Sequence, residues 1–314
     1  MAELNSAIWQ QEPGWLQKKR QLATMLRARF PKQDDQDDWL GSWQGEQRRA
    51  GQSTGLVSHD GDYVAQPLSQ AVNEYSEMLQ ENLMEKAIFW QDGQLNAAHL
   101  SRIDGGQFIY VPDGTALTAP IELAPTMTGE NPHNVFIVGA GSQVTIQETA
   151  QLTNPGSVYA GTEILVGTGA TVTYRQFNHF AGQRALQAVH VYQAQGSQFH
   201  LAYGQSSATD VATSLYSFLD GQQTKWTADV ALQVPAGAHQ ECRPVLDGYG
   251  QGTTGRLYVW GQSATPADLK LDHFKVGSGE PLDIAEEVKR LAPDSAFNDL
   301  LPAASWLKNK FERA

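Results

Sequence analysis

A turn of the form glycine, small or polar, any residue, apolar recurs along the middle of this chain. It appears as Gly114-Thr-Ala-Leu117, Gly141-Ser-Gln-Val144, Gly169-Ala-Thr-Val172 and Gly196-Ser-Gln-Phe199. The glycines stand 27, 28 and 27 residues apart, and Gly221 follows 25 later. Two of the turns follow a matching strand and glycine, Phe136-Ile-Val-Gly139 and Ile164-Leu-Val-Gly167. A fixed period in this range marks a stack of coils, because each unit buries its apolar face only against its neighbours. A sandwich or barrel also has regular strands, but it has no reason to repeat one turn in register. The period therefore predicts a solenoid.

Between the turns the texture is that of strands. Phe108-Ile-Tyr-Val111, Val135-Phe-Ile-Val138, Val144-Thr-Ile146, Ile164-Leu-Val166, Val172-Thr-Tyr174 and Phe199-His-Leu201 are rich in β-branched and aromatic residues. Gly, Pro, Asn and Asp bound them, as strands require. No helical periodicity intervenes from about Gly105 to Val276, which excludes βαβ units and a Rossmann sheet.

The flanks read differently. Trp15, Leu16, Leu22, Met25, Leu26 and Phe30 fall near helical spacing between Pro13 and Pro31. Gln33–Asp38 is polar and acidic, and a loose segment with Trp39 and Trp43 runs to Pro67. A second helix is predicted from Leu68 to about Ala87, with Ala71, Val72, Tyr75, Leu79, Leu83 and Met84 as its packing stripe. After Val276, Ile284, Ala285, Val288 and Leu291 predict a short helix between Pro281 and Pro293, and Trp306, Leu307, Lys310 and Phe311 another. The chain is thus mainly β, with a helical region over 1–100, a β core over 101–276 and a helical region over 277–314. Helical ends would also cap the strand edges that an open solenoid exposes.

Charge narrows the partners. The formal net charge is -12, which repels phosphate backbones and anionic lipid, so nucleic acid and membrane surfaces are disfavoured. The basic cluster Lys18, Lys19, Arg20, Arg27 and Arg29 reads as a solvated helix face. A single cysteine, Cys242, forms no intramolecular disulfide and fits a reducing compartment. The first residues lack the basic and apolar regions of a signal peptide, and no apolar run approaches the roughly 20 residues that span a bilayer. A soluble, cytoplasmic protein is expected.

No P-loop, dinucleotide fingerprint, His-Glu-x-x-His or Gly-x-Ser-x-Gly occurs in the chain. Asp104-Gly-Gly106 is turn chemistry. The metal candidates are His239 and Cys242, three residues apart with Glu241 between them. On a regular strand such positions face opposite sides, and one thiol with one imidazole leaves a tetrahedral metal half coordinated. A bulge near Gly237 would be needed to reverse this. β-Helices also serve polysaccharide lyases and hydrolases, whose sites gather acids and bases on neighbouring coils. The charges within the repeats are sparse: Glu122, Glu148, Glu163, Arg175, Arg184 and Asp210. Glu148 and Arg175, 27 apart, would stack as an ion pair between coils.

The run from Asn96 to Ile121, with Asp104-Gly-Gly-Gln-Phe-Ile-Tyr-Val-Pro-Asp-Gly114 and Pro120-Ile121, resembles the opening of the β-helix in the SufB/SufD family. Asn134-Val-Phe-Ile-Val138 with Gly141-Ser-Gln-Val-Thr145 is similar to the next coil, and Glu163–Tyr174 to the one after. Gly237-Ala-His-Gln240, Arg243 and Thr254-Gly-Arg256 resemble later coils, and Glu12-Pro-Gly-Trp15 with Arg20 a helix start common in the family. The resemblance implies a right-handed parallel β-helix flanked by helices. It further implies pairing of a SufB-like with a SufD-like chain, a SufC-like ATPase docked on the C-terminal helical region, and assembly of iron–sulfur clusters.

In the family a Cys of the SufB-type chain and a His of the SufD-type chain are implicated in that chemistry. Here the family's Cys-x-His segment aligns best with Leu282–Ala292, where Arg290 and Ala292 occupy the two positions. The chain is also shorter than is usual in the family. These departures fit a SufD-like, non-enzymatic subunit better than a cluster-bearing SufB. A transient cluster would then sit at a heterodimer interface, with no cofactor bound by this chain alone. Pairing with a second copy of itself through the β-helix is the remaining partner reading, and a β-helix carbohydrate-active enzyme is the alternative function.

Overall fold

The computed structural model describes residues 12–31, 53–54, 58–60, 62–248, 250–272, 275–276, 283–291 and 305–311. Gln33–Asp38, Trp39, Trp43, Pro281 and Pro293, named above, lie outside them. The strands opening the chain are β1 (Ser53–Thr54), β2 (Ser58–Asp60), β3 (Tyr63–Pro67), β4 (Gln107–Val111), β5 (Ile121–Leu123) and β6 (Thr126–Met127). The long coils comprise β7 (His133–Val138), β8 (Gln143–Leu152), β9 (Ser157–Val166), β10 (Thr171–Phe180), β11 (Arg184–Ala194) and β12 (Gln198–Ser206). They continue through β13 (Asp210–Asp220), β14 (Lys225–Val234), β15 (Gln240–Gly248), β16 (Thr254–Ser263), β17 (Leu269–Leu271), β18 (Lys275–Val276) and β19 (Asp283–Leu291).

From β4 onward the strands stack as a parallel β-solenoid of about six turns, to which β1 and β3 add by antiparallel pairing. Two sheets face each other. The first runs β1-β6-β8-β10-β12-β14-β16-β19, with β5 also on β8, and the second β17-β15-β13-β11-β9-β7-β4-β3-β2, with β18 also on β15. Each coil gives one strand to each sheet, and the glycine turns carry the chain from the second sheet to the first.

The repeated glycine is a backbone requirement. Gly114, Gly141, Gly169 and Gly196 have φ of 70, 67, 66 and 69°, a left-handed conformation that a Cβ opposes. Each donates its N–H to the carbonyl just before the corresponding position of the next coil, as in Gly141 to Thr168 and Gly169 to Gln195. The column continues at Gln223 (φ 61°) and Gly252 (φ 73°), since Gly196 donates to Gln222 and Gln223 to Gln251. The fifth turn is therefore centred on Gln223, not Gly221. A search for glycine misses it because this one position tolerates the strain of a side chain.

Inside the first sheet, register makes columns. Val144, Val172, Phe199 and Trp226 stack in turn, and the bulk of Trp226 is met by Gly255 on β16. The same register corrects the expected ion pair: Arg175 aligns with Gln147, and Glu148 with Gln176. Arg175 lies on the outer face, with Nη1 3.5 Å from Gln147 Oε1, whereas Glu148 points inward.

The helices are α1 (Gly14–Leu26), α2 (Leu68–Glu74), α3 (Ser76–Asn82), α4 (Gln94–Arg102) and α5 (Ser305–Phe311). The helix predicted over 68–87 is thus two, broken at Tyr75 (φ -115°, ψ 40°). α4 occupies Asn96–Arg102, where the resemblance put the opening of the β-helix; the coil begins at Gln107. Leu16, Leu68, Leu79, Ala98 and Leu100 from these helices, with Leu83 just after α3, pack on the outer face of the second sheet, against Phe108, Val135 and Tyr159. Arg20 is buried rather than solvated. Its guanidinium donates to Glu12 Oε1 (2.8 Å) and to the carbonyls of Leu100 (3.0 Å) and Ile103 (2.8 Å), closing the C-terminus of α4 with a cation. That contact accounts for Glu12 and Arg20 in the motif that opens α1.

The helix expected at Ile284–Leu291 is instead β19, parallel to β16 from Thr254↔Asp283 to Gln262↔Leu291. Spacing of Ile284, Val288 and Leu291 suits a helix, but the open edge of β16 offers a full ladder to a segment containing β-branched residues, and pairing overrides weak propensity. α5 lies on the outer face of the first sheet, with Leu307 and Phe311 against Phe177, Ala202, Ala231 and Trp260.

Gly169→Ala should cost about 1–2 kcal/mol, because no atom lies within 4 Å of the added Cβ and only the backbone resists it. Gly167→Ala should cost more, since its Cβ would stand 2.7 Å from Ala140 N and 2.9 Å from Val138 O. Urea denaturation of the two variants measures the difference.

Candidate functional site

The second sheet separates two buried polar groups, one inside the solenoid and one beneath the helices. Period-two alternation carries Val144, Ile146, Glu148, Ala150 and Leu152 of β8 into the interior. Glu148 is fully buried. It accepts hydrogen bonds from the Tyr174 hydroxyl and from Asn134 Nδ2 (3.2 Å to Oε1), and Asn134 also reaches Thr162 Oγ1 at 3.3 Å. Burial pushes its carboxyl above the ordinary range, opposed by bonds from Tyr174, Asn134 and Gln176.

The polar interior continues along the stack. Asn178 Nδ2 donates to Gln187 Oε1 across the lumen at 2.8 Å, Tyr203 Oη to Gln205 Oε1 at 2.9 Å, and Gln205 Nε2 to Ser207 Oγ at 2.8 Å. A small cavity lies among Asn134, Glu148, Thr162, Gln176, Asn178 and Gln187, with room for about one water molecule.

On the other face, His99 of α4, His133 of β7 and Glu163 of β9 form a chain with no solvent exposure. His99 Nε2 and His133 Nδ1 are 2.9 Å apart, and His133 Nε2 is 3.3 Å from Glu163 Oε1. His99 Nδ1 meets Asn131 Oδ1 at 3.2 Å, and Glu163 Oε2 accepts the Met84 N–H at 3.1 Å. Burial lowers His133 to about 3, lowers His99 with help from His133, and raises Glu163. Burial thus favours the uncharged form of all three, and His133 Nε2 faces Glu163 Oε1 without a formed hydrogen bond. Gly161 makes room for the pair: a Cβ there would stand 2.5 Å from His133 Nδ1 and 3.1 Å from His99 Nε2. Tyr159 stacks on His99 at 3.9 Å between centroids.

The sequence candidates do not converge. His239 is exposed ahead of β15, with Nδ1 3.4 Å from Asp210 Oδ1 and Nε2 3.7 Å from Asp268 Oδ1. Cys242 points into the core, aligned with Thr213 and through it with Gln187, and burial pushes its thiol up to about 12. The strand stays regular, so the two face opposite sides and hold no common metal. Among the described residues no group of three or more His, Cys, Asp and Glu is placed to hold a metal ion. Glu122, Glu148, Glu163 and Asp210 likewise fail to gather: Glu148 is buried inside the solenoid on the first sheet, Glu163 is buried on the outer face of the second, and the other two are not buried.

Sequence reasoning missed the inward Glu148, although alternation from Val144 and Ile146 would have placed it. The cap chain had no such signal: His133 and Glu163 meet across β7 and β9, and His99 joins them only through the docking of α4.

These features define a parallel β-solenoid with a mainly apolar interior that encloses a polar network, and a helical layer fixed to one sheet. Residues 122–265, spanning most of β5 to β16, match the family model described as SUF system FeS cluster assembly, SufBD core domain. The match supports the SufB/SufD family and indicates a role in iron–sulfur cluster assembly. No curated protein matches the chain. Among the described residues no helix is long and apolar enough to cross a membrane.

The buried histidines set an acid response. Unfolded histidine titrates near 6.5, so as the pH falls below that value the unfolded chain takes up protons that His133 refuses until about 3. Their contribution to stability is full above 6.5 and is lost on acidification. Glu163 acts oppositely, its contribution being full below 4.5 and falling as the pH rises toward its folded value. His133→Gln should therefore flatten the acid limb between 6.5 and about 3 relative to the parent. Urea midpoints over a pH series test it.

Proposed function

We propose that this chain is a SufD-like, non-catalytic subunit of a cytoplasmic iron–sulfur assembly complex. It pairs with a SufB-like chain through its β-helix and holds a SufC-like ATPase through the chain beyond about residue 280. The observation that carries the reading is the SufBD core match over residues 122–265, which coincides with the solenoid. The chain's single thiol supports the SufD side: Cys242 is 1% exposed and held protonated, unlike a thiol that would take up sulfur or iron. In this reading the cluster is the cargo, assembled at the interface with the partner.

β19 is the natural pairing edge. It is the last described strand of the first sheet, its residues are mostly exposed, and Val288 is an exposed apolar residue upon it. A strand edge of this kind offers backbone groups to another sheet.

Tagged protein isolated from its host should retain both a second β-helical chain and an ABC-type ATPase. Recovery of neither, with no binding to SufB-like or SufC-like chains in vitro, defeats the proposal. Val288→Asp should weaken pairing with the β-helical partner roughly tenfold, about 1.4 kcal/mol, while circular dichroism shows the solenoid intact. Titration calorimetry against the purified SufB-like chain reads the change.

A further inference from the structure

The interior cavity is short of positive charge and of hydrogen-bond donors. Its polar walls are Asn134, Glu148, Thr162, Gln176, Asn178 and Gln187. The amide donors have identified partners: Asn134 Nδ2 on Glu148 and Thr162, Asn178 Nδ2 on Gln187 Oε1, Gln187 Nε2 on the Ala188 carbonyl, and the Gln176 side chain on Glu148. Gln176 Oε1 and Asn178 Oδ1 have no hydrogen-bond partner, and their residues are 2% and 0% exposed. Turning the amides over does not cure this. A flipped Asn178 would set its oxygen against Gln187 Oε1, and a flipped Gln176 would set its oxygen against the Glu148 carboxylate.

Two orphan oxygens and a carboxylate therefore line a space the size of one water molecule. A water could donate to two of them, but its own lone pairs would then find few donors. A cation meets all the oxygens at once. One positive charge also balances one carboxylate, whereas a divalent ion would leave net charge in a low-dielectric interior. Oxygen donors select a hard ion, and potassium without its hydration shell fills about the volume of a water molecule.

We propose that this cavity is a structural site for a single monovalent cation of potassium size, held by Glu148, Gln176 and Asn178. The ion bridges neighbouring coils, since Glu148 and Gln176 are register partners on β8 and β10. It enters as the coils close, and it needs no partner subunit, so the inference stands apart from the assembly role.

The test uses the full chain, refolded and dialysed in potassium chloride or in N-methylglucamine chloride at equal ionic strength. The urea midpoint should be higher in potassium, and a potassium titration should saturate. Glu148→Gln should abolish the difference. Gln176→Met, which removes the orphan oxygen and one donor to Glu148 but no charge, should weaken the potassium response at least tenfold and serves if Glu148→Gln does not fold. Crystals grown with thallium(I) should show an anomalous peak between Glu148, Gln176 and Asn178. Equal midpoints in the two salts, or a water without anomalous signal in the cavity, overturn the proposal. So does a potassium effect that survives both substitutions, because the ion then binds elsewhere.

Discussion

Backbone pairing between successive coils is the interaction on which the rest of the molecule depends. Each strand finds its neighbour one coil away, so the paired residues of β8 to β16 stand opposite counterparts 26 to 29 positions along, as Arg184↔Asp210 and Lys225↔Thr254 show. The left-handed turn residues lock this spacing through one N–H per coil. Once register is set, alternation decides which side chains enter the lumen and which meet the helices. Glu148 is interior and Arg175 exterior for that reason alone, although they are nearly one period apart. A slip of one residue would exchange the two faces, exposing the Val144–Trp226 column and burying charges. The large apolar column thus holds the register, and the register holds the polar groups.

Much of this was legible in the residues. The period of Gly114, Gly141, Gly169 and Gly196 gave the solenoid, because a conformation that only glycine adopts cheaply leaves a trace in composition. Where the trace is absent, as at Gln223, counting glycines drifts to Gly221. The helix over 14–26 announced itself through its stripe and prolines, and the break at Tyr75 did not, since nothing in that stretch forbids a continuous helix. β19 was misread because apolar residues at 284, 288 and 291 satisfy helical spacing and the pull of an open edge is a property of the folded neighbour. His239 and Cys242 were the visible candidates, being chemically distinctive and close in sequence. Glu148 and the His99–His133–Glu163 chain were less visible, because their chemistry comes from burial between segments 14 to 64 residues apart.

The two polar groups sit differently in the energetics. The interior network lies within the repeat and links coil to coil, so its members are held by the same register as the apolar columns. The cap chain links the repeat to what lies outside it. Arg20 ties α1 to α4, His99 ties α4 to β7, and Glu163 receives the Met84 N–H from the segment after α3. Such buried polar links are favourable only while their members keep their partners. The helices therefore dock in one position on the sheet, and a function that relies on the placement of the flanking segments has a defined frame to work from.

Gly161 shows what this costs the repeat. On the outer face of the second sheet its register column reads His133, Gly161, Ala188, Ser214 and Arg243. Side chains grow again as the column leaves the shelter of the helices. Early coils are consequently individual, each shaped to one part of the cap, while β15 and its neighbours are closer to generic units. Near its far end the stack is clear of the N-terminal helices, and of the described helices only α5 spans its coils from β10 to β16. A whole coil added between β7 and β9 would part His133 from Gly161 and Glu163. The molecule thus has one end shaped to its N-terminal helices and another whose coils answer mainly to one another.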